Sequence, residues 1–182
     1  MEGEVHIIAK GKGWDEAPDE GETWGVNDIV LRRDQLTLGF DMHDLDVKRK
    51  SVDGEAFKLT IEKATKNNLP IMVLKEYDFV PTGVVYPLDE IVKKYKSTYI
   101  GSSIDFMTAL AMYKEFETIN LYGVNMIQHN EYMRQKPSME FWIGMAMGLG
   151  HKVNVFTGEH SSIMKTYNKK IYGYNLLQTK IH

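Results

Sequence analysis

The chain has 182 residues, 43% of them hydrophobic and 26% charged, and a formal net charge of -3. This composition is typical of an ordinary soluble globular protein, and the length suits a single domain over residues 1–182. The net negative charge argues against a general nucleic-acid partner, because phosphate contacts require surplus Lys and Arg. The absence of Cys excludes disulfides and thiolate metal sites and fits a reducing cytoplasm.

Targeting and membrane segments are not expected from this sequence. Its first residues, MEGEV, are acidic where a signal peptide is basic. No apolar run approaches the roughly 18 residues that a membrane helix needs. We therefore expect a cytoplasmic protein with no membrane partner.

Short apolar runs alternate with amphipathic segments along the chain, which is typical of an α/β fold. The runs predict seven strands, at Glu4–Ala9, Thr23–Asn27, Leu36–Asp41, Ile71–Lys75, Thr98–Gly101, Thr118–Gly123 and Lys152–Phe156. The other segments predict helices at Gly54–Asn67, Leu88–Tyr95, Ser103–Lys114, Ser138–Leu149 and Ser161–Tyr172, the last extending to about residue 177. The predicted fold class is an α/β three-layer sandwich whose mostly parallel sheet has about six or seven strands.

Polar and glycine residues follow several of these strands. In an open parallel sheet, ligands bind beyond the carboxyl ends of the strands, where the strand order reverses. The residues at those ends are Gly11–Trp14, Asn27, Asp41–Asp44, Gly101–Ser103 and Gly123–Asn125. We therefore expect these segments to form one ligand site.

The first of these segments contains Gly11, Gly13 and Trp14. It lacks the third glycine of a dinucleotide fingerprint, because Glu16 occupies that place, and it is not a Walker A loop. At most a turn or two of helix fits before the second strand. Two interpretations stay open for it: a plain turn, or a nest of backbone N–H groups that binds an anion.

The ends of the second and third strands carry side chains suited to ligand contact or to catalysis. The amide of Asn27 suits a ribose or a base edge, or it satisfies a local turn. Asp41 and His43 lie on one side of the third strand, where they could supply a general base. The alternative is a set of exposed acids around a loop, and no metal is predicted.

Two further segments are candidates for nucleotide contacts. Ser102 and Ser103 begin a predicted helix, where an anion is favoured by the helix dipole. Capping by serine is compatible with that role, and Ser102-x-x-Asp105 is close to a capping box. The polar stretch from Leu121 to Ser138 is predicted as a long loop. It contributes the candidate contacts Asn125, Glu131, Tyr132 and Gln135, or it is a surface connection.

The run TYIGSSIDFMTALAMYKEFETINLYGVNM resembles the strand, serine turn, helix and strand segment of the Rossmann-like bacterial sialyltransferases. It is also similar to glycosyltransferases of the motility-accessory-factor type. A set of small phage and prophage proteins looks closer still, with W-G-V-N, F-x-M-H, Y-P-L, S-S-I, L-Y-G-V and E-Y-x-x-Q elements in the same order. These resemblances imply a Rossmann-like fold and a nucleotide or nucleotide-sugar ligand, contacted by the glycine loop, Asn27 and the Ser102–Ser103 turn.

The sequence departs from the sialyltransferase pattern at three points. Asn125 stands in place of an Asp, Glu115 stands where a glycine is expected at the helix end, and the catalytic His of the lid segment has no counterpart. The resemblance therefore supports an expectation of nucleotide binding more strongly than an expectation of catalysis.

The function that we predict is binding of a nucleotide ligand by a phage-type protein, with transfer of a glycosyl group from a nucleotide sugar. The alternative is a non-catalytic binder that sequesters a host nucleotide signal or cofactor in the host cytoplasm. The apolar and aromatic segment after Ser161 is either the last helix of the core or an arm that forms a homo-oligomer.

Overall fold

A computed structural model describes residues 1–126, 130–156, 161–165 and 170–173 of the chain, with the backbone alone at 130–132. Its strands are β1 (Glu4–Ile8), β2 (Glu22–Val26), β3 (Leu38–Phe40), β4 (Ile71–Val73), β5 (Gly83–Val85), β6 (Thr118–Tyr122) and β7 (Lys152–Phe156). Its helices are α1 (Ile29–Arg32), α2 (Leu45–Lys48), α3 (Gly54–Lys66), α4 (Leu88–Tyr95), α5 (Ser103–Tyr113) and α6 (Asn130–Gly148).

The strands form one sheet in the order β5-β4-β3-β2-β1-β6-β7, and every neighbouring pair is parallel. From β1 the chain builds outward to β5, then returns to the other side of β1 with β6 and β7. The strand order therefore reverses between β1 and β6. The predicted Rossmann-like α/β fold with a parallel sheet is confirmed.

Apolar side chains cover both faces of the sheet. Along β4, Met72 belongs to a core cluster shared with α4, α5 and α6, whereas Ile71 and Val73 belong to a second cluster with α1, α2 and α3. Successive side chains of a strand point to opposite faces, so the two clusters lie on opposite sides of the sheet. These are the outer layers of the predicted sandwich.

Six of the seven predicted strands are confirmed, and the prediction for Thr98–Gly101 is wrong. That segment joins α4 to α5, and the Tyr99 carbonyl accepts a hydrogen bond of 2.7 Å from the Trp142 indole. A side-chain partner thus replaces a neighbouring strand. One strand of the sheet is not among the predicted ones: β5 (Gly83–Val85), an edge strand whose side chains are exposed. It lacks the buried apolar side chains that mark the other strands.

The helices at Gly54, Leu88 and Ser103 are confirmed within a residue of their predicted ends. The helix predicted at Ser138–Leu149 is confirmed as the second part of α6, which begins at Asn130 and continues through Pro137. The predicted long loop is therefore wrong over residues 130–137, whereas residues 123–126 are neither helix nor strand. The helix predicted from Ser161 is wrong over residues 161–165, which form a turn, and its remainder lies largely outside the described residues. No described helix is long and apolar enough to cross a membrane.

The carboxyl end of α5 explains one departure from the sialyltransferase pattern. The N–H of Phe116 donates to the carbonyl of Ala111 at 3.2 Å, and the N–H of Glu115 donates to Met112 at 3.0 Å. These two bonds form a Schellman motif, in which the residue after the cap adopts the left-handed conformation that glycine prefers. Glu115 has a φ of 62°, so it adopts the glycine conformation without being glycine.

Candidate functional site

A cavity of about 320 Å³ opens at the carboxyl edge of the sheet, where the strand order reverses between β1 and β6. Its walls come from the segments after β1, β2, β3 and β6, together with the beginning of α5 and part of α6. The lining residues are Ala9, Lys10, Gly11, Val26, Asn27, His43, Ser102, Ser103, Ile104, Gly123, Val124, Asn125, Met126 and Gln135. We call this space the switch-point cavity.

The structure brings most of the predicted site residues together in this cavity. Those that line it are Gly11, Asn27, His43, Ser102, Ser103, Asn125 and Gln135. Three others do not line it: Gly13, Trp14 and Asp41. The side chains of Glu131 and Tyr132 lie outside the described residues, although their backbone belongs to the first turn of α6.

The glycine loop shapes the cavity through Gly11. The Gly11 N–H donates to the carbonyl of Gly123 at 2.9 Å, so this N–H does not face a ligand. A Cβ at Gly11 would lie 1.8 Å from the Asn125 side-chain oxygen. Glycine is therefore required here because the loops after β1 and β6 approach each other closely.

Gly13 and Trp14 leave the cavity because the chain turns away after Gly11. Gly13 has a φ of 89° and precedes a short 3₁₀ turn at Trp14–Glu16. Trp14 packs partly buried against the core, and the Arg32 guanidinium lies 5.8 Å from its ring centroid. The geometry gives these two residues a structural role instead of the predicted ligand contact.

Asn27 lines the cavity and carries a buried side-chain oxygen. Its backbone is left-handed, with a φ of 51°, and its N–H donates to the carbonyl of Phe40 at 2.8 Å. The side-chain oxygen is buried and has no hydrogen-bond partner in the described part of the chain. A buried polar atom without a partner costs about 1–3 kcal/mol, so a ligand donor would be stabilising at this atom.

The two serines before α5 have different roles. The Ser102 hydroxyl donates to the Asp105 carboxylate at 2.7 Å and accepts the Asp105 N–H at 3.2 Å. The same carboxylate accepts the N–H groups of Gly101 and Ser102, at 2.7 and 3.0 Å. This is a complete capping box, which satisfies the helix end internally. Ser102 is therefore used for capping.

Ser103 keeps its donors for the cavity. Its hydroxyl makes no hydrogen bond within the described residues, and it lines the cavity beside Ile104. The N–H groups of the first helical residues have no partner inside a helix, and α5 continues to Tyr113. The Ser103 hydroxyl and the N–H groups at the start of α5 are thus available to an anionic or polar ligand.

Asp105 is fully buried beneath this turn. Burial raises the pKa of its carboxyl, and hydrogen bonds from Ser138 and from the backbone of Gly101 and Ser102 act in the opposite direction. The Asp105 carboxylate already accepts hydrogen bonds at the N-terminus of α5. Its negative charge would repel a ligand phosphate bound at the same helix end. The anion site predicted at the serine turn is consequently weaker than the sequence suggests.

His43 is oriented by a buried ion pair. One oxygen of Asp41 lies 2.7 Å from Nδ1 of His43, and the other oxygen is ion-paired with Lys48. Asp41 is 2% exposed, whereas the His43 side chain is 51% exposed. In the tautomer that suits this contact, the imidazole donates its Nδ1–H to the Asp41 carboxylate, and Nε2 is left as the acceptor.

This geometry favours His43 over Asp41 as the general base. Both oxygens of Asp41 are engaged and Asp41 is buried behind His43, so Asp41 can position the imidazole but cannot reach a ligand. His43 borders the cavity directly. Lys48 was missed by the sequence reasoning, because a lysine in a short helix gives no signal of a buried partner.

A second cavity, of about 590 Å³, adjoins the first and shares Lys10, Asn27 and His43 with it. Its other lining residues belong to α1, α2, α3 and their connections: Asp28, Leu31, Asp44, Val47, Lys48, Ser51, Asp53, Ala56, Phe57 and Thr60. We call it the α2–α3 groove. Among the described residues there is no cluster of three His, Cys, Asp or Glu side chains that could hold a metal ion.

No protein-family model and no curated protein matches the chain. Solved structures of a sialyltransferase do match it. The sialyltransferase CstII from Campylobacter jejuni, in complex with cytidine-5'-monophosphate, has a TM-score of 0.57 at 14% identity, covering 85% of this chain and 79% of CstII. Its complex with CMP-3FNeuAc gives the same TM-score and identity, covering 88% and 82%.

A third structure, of the sialyltransferase CST-II with a trisaccharide acceptor and CMP, has a TM-score of 0.57 and covers 86% of this chain. At 14% identity, such a likeness shows a shared fold and does not show a shared activity. The sialyltransferase part of the resemblance found in the sequence is thereby confirmed at the level of fold. The chain has the glycosyltransferase-like α/β fold of these sialyltransferases.

Proposed function

We propose that the chain binds a nucleotide sugar in the switch-point cavity and transfers its glycosyl group to a hydroxyl acceptor. The observation that carries this proposal is the convergence of Asn27, Ser103 and His43 on one cavity at the reversal of strand order. Ligands of open α/β sheets bind at this place. The sialyltransferases of the same fold in complex with CMP and CMP-3FNeuAc support a cytidine nucleotide as the class.

The donor's polar groups would meet two sets of protein atoms. The Asn27 amide lines the cavity, and a ribose hydroxyl or an exocyclic amine that reached its oxygen would supply the donor that this atom lacks within the described residues. Ser103 and the first N–H groups of α5 would bind a phosphate oxygen. Lys10 adds a cation at the rim, although it is shared with Asp28 at 3.4 Å.

The transfer step follows from the position of His43. The acceptor oxygen forms a bond to the anomeric carbon, and the bond between that carbon and the nucleotide phosphate oxygen breaks. The phosphate leaves with the bonding electron pair, while the acceptor proton passes to Nε2 of His43. Asp41 stabilises the imidazolium that forms, because one of its oxygens lies 2.7 Å from Nδ1.

Calorimetry with CMP tests the nucleotide site. We expect Asn27→Gly to weaken CMP binding by about tenfold or more, because it removes the amide that lines the cavity. Glycine tolerates the φ of 51° at this position, so the fold is retained. Asn68→Gly is the matched control, since Asn68 has a φ of 52° and does not line the cavity. Equal CMP affinity in the two variants would contradict the proposed site.

Recovery of the ligand distinguishes transfer from the alternative of sequestration. The protein is incubated with CMP-sialic acid and a sugar acceptor, then denatured, and the released compounds are separated by mass. Free CMP with a glycosylated acceptor supports transfer. Tightly bound donor recovered intact supports a non-catalytic binder, which is the role that the phage-type sequence elements suggest.

A further inference from the structure

The α2–α3 groove lies beside the switch-point cavity, and His43 forms part of the wall common to both. Its volume of about 590 Å³ falls in the range of small-molecule sites. Asn27 also lines this groove. A donor in the first cavity and a second molecule in the groove would therefore both reach the imidazole.

The cations that line the groove lie beside carboxylates. Lys48 is ion-paired with the buried Asp41, and its side chain is only 16% exposed. Lys10 lies 3.4 Å from Asp28, which is also paired with Arg32 at 2.6 Å. Lys48 is therefore compensated, whereas Lys10 shares its carboxylate with Arg32 at the rim common to both cavities.

The carboxylates at the rim of the groove carry no such compensation. Asp44 caps α2 by accepting the N–H of Asp46 at 3.0 Å, and it remains a full negative charge. The carboxylate of Asp53 makes no hydrogen bond or ion pair within the described residues. Between them, Val47, 65% exposed, offers an apolar surface. The Ser51 hydroxyl is used within the chain, because it donates to the Lys48 carbonyl at 2.8 Å and accepts the Asp53 N–H at 3.2 Å.

We propose that this groove binds the acceptor of the transfer reaction, a hexose-sized hydroxyl compound that is neutral or bears an amine, and not an anionic one. The inference rests on the proposed function. The apolar Val47 suits the face of a sugar ring, while Asp44 and Asp53 accept hydrogen bonds from hydroxyl or ammonium groups. The same two carboxylates repel a carboxylate-bearing sugar. One acceptor hydroxyl then meets Nε2 of His43.

Three sugars with the same ring and different charge test this selectivity: glucosamine, glucose and glucuronate. Each is titrated into the CMP-loaded protein while backbone amide chemical shifts are recorded, at a pH where glucosamine is protonated. We expect shifts at residues 47–53, with glucosamine binding at least tenfold more tightly than glucuronate and glucose between them. No shift in this segment, or tightest binding of glucuronate, would overturn the inference.

The double variant Asp44→Asn/Asp53→Asn links the selectivity to the rim. Asn also serves as an N-cap, so α2 is retained. We expect the difference between glucosamine and glucuronate to fall to threefold or less, with CMP affinity unchanged. Glu90→Gln, an exposed acid of α4 outside the groove, is the matched control and should leave the tenfold difference intact. An unchanged difference in the double variant would overturn the role of the carboxylates.

The two proposals fail in different ways. CMP binding without any effect of the sugars on the groove overturns the acceptor site and leaves the nucleotide site in place. Sugar binding at residues 47–53 of a protein that does not bind CMP overturns the proposed transfer function, and it still supports a saccharide site in the groove.

Discussion

Two histidines, two strands apart in the same sheet, show how position decides the use of a polar side chain. His6 lies inside β1 and is 5% exposed, and its Nδ1 is 3.4 Å from the Asn120 amide nitrogen. His43 follows β3, is half exposed and borders two cavities, and within the described residues only its Nδ1 has a hydrogen-bond partner. The buried histidine is part of the structure, and the edge histidine is available to a ligand.

The asparagines of the two regions repeat this difference. Asn120 donates to Glu4 at 2.9 Å and accepts from Asn154 at 2.8 Å, so its amide is used within the sheet. Asn27, at the carboxyl edge, has a buried oxygen without a partner among the described residues, but so does Asn154 within β7. Neither residue type nor a missing hydrogen bond alone separates structural from functional groups. Position beside the cavity distinguishes Asn27 from the other two.

The largest expected effect is at the edge histidine. Replacing His43 with Gln should lower the rate of glycosyl transfer by roughly 10²–10⁴-fold, because general base catalysis typically contributes that much. The free energy of unfolding should stay within about 0.5 kcal/mol, since the side chain is half exposed. Initial rates with CMP-sialic acid and urea unfolding measure the two quantities.

His6→Gln serves as the comparison variant for the rate. Its buried side chain lies outside both cavities, so the rate per folded molecule should not change. A rate that falls equally in both variants would break the distinction between the edge and the interior.

The next largest effect is expected at Lys48, which is ion-paired with the buried Asp41 next to His43. Lys48→Met leaves the carboxylate of Asp41 buried without its cation, and we expect a loss of about 3 kcal/mol in the free energy of unfolding. Lys48→Arg should recover part of it, because the ion pair can re-form. The exposed Lys58 of α3 provides the control, as Lys58→Met should change stability by less than about 0.5 kcal/mol.

Urea unfolding at neutral pH measures these three variants. Similar stability of the Lys48→Met and Lys58→Met proteins would contradict the buried ion pair. It would also remove the proposed means by which Asp41 and His43 are held in place at the edge of the sheet.

A smaller effect is expected at Glu115, a polar residue that lines neither cavity and has a left-handed backbone conformation. Its φ of 62° favours glycine, so Glu115→Gly should raise the free energy of unfolding by about 0.5–1 kcal/mol. Glu115→Ala keeps the strain and removes only the exposed pair with Lys94, at 3.5 Å, so it should not stabilise. Equal thermal midpoints for the two variants would contradict the conformational explanation.

The sequence predicts most of the fold because the central strands are apolar and buried on both faces. Six strands and four helices are found where the alternation of segments places them. The exposed edge strand β5 lacks that signal. Pro137 indicates a helix break, yet α6 continues through it, because Met139, Trp142 and Ile143 bury their side chains in the core. Tertiary packing here outweighs local preference.

The candidate site is predicted less completely than the fold. The rule for strand ends selects Gly11, Asn27 and His43 correctly as neighbours in space. The Ser102-x-x-Asp105 spacing is close to that of a capping box, and the structure confirms this pairing. The rule does not reveal that Lys48 supports Asp41, because the fold forms this pairing and no spacing in the sequence determines it.

The smallest expected effect tests the buried half of the comparison through pH. Burial lowers the pKa of His6 below its ordinary value of 6.5, although Glu4 opposes this shift. Between the lowered pKa and 6.5 the unfolded chain binds the proton more readily, so stability is present above pH 6.5 and is lost as the pH falls through the lowered pKa. His6→Gln has no such proton, and its urea midpoint should decline less between about pH 7.5 and pH 5. Parallel declines in the two proteins would contradict the lowered pKa of His6.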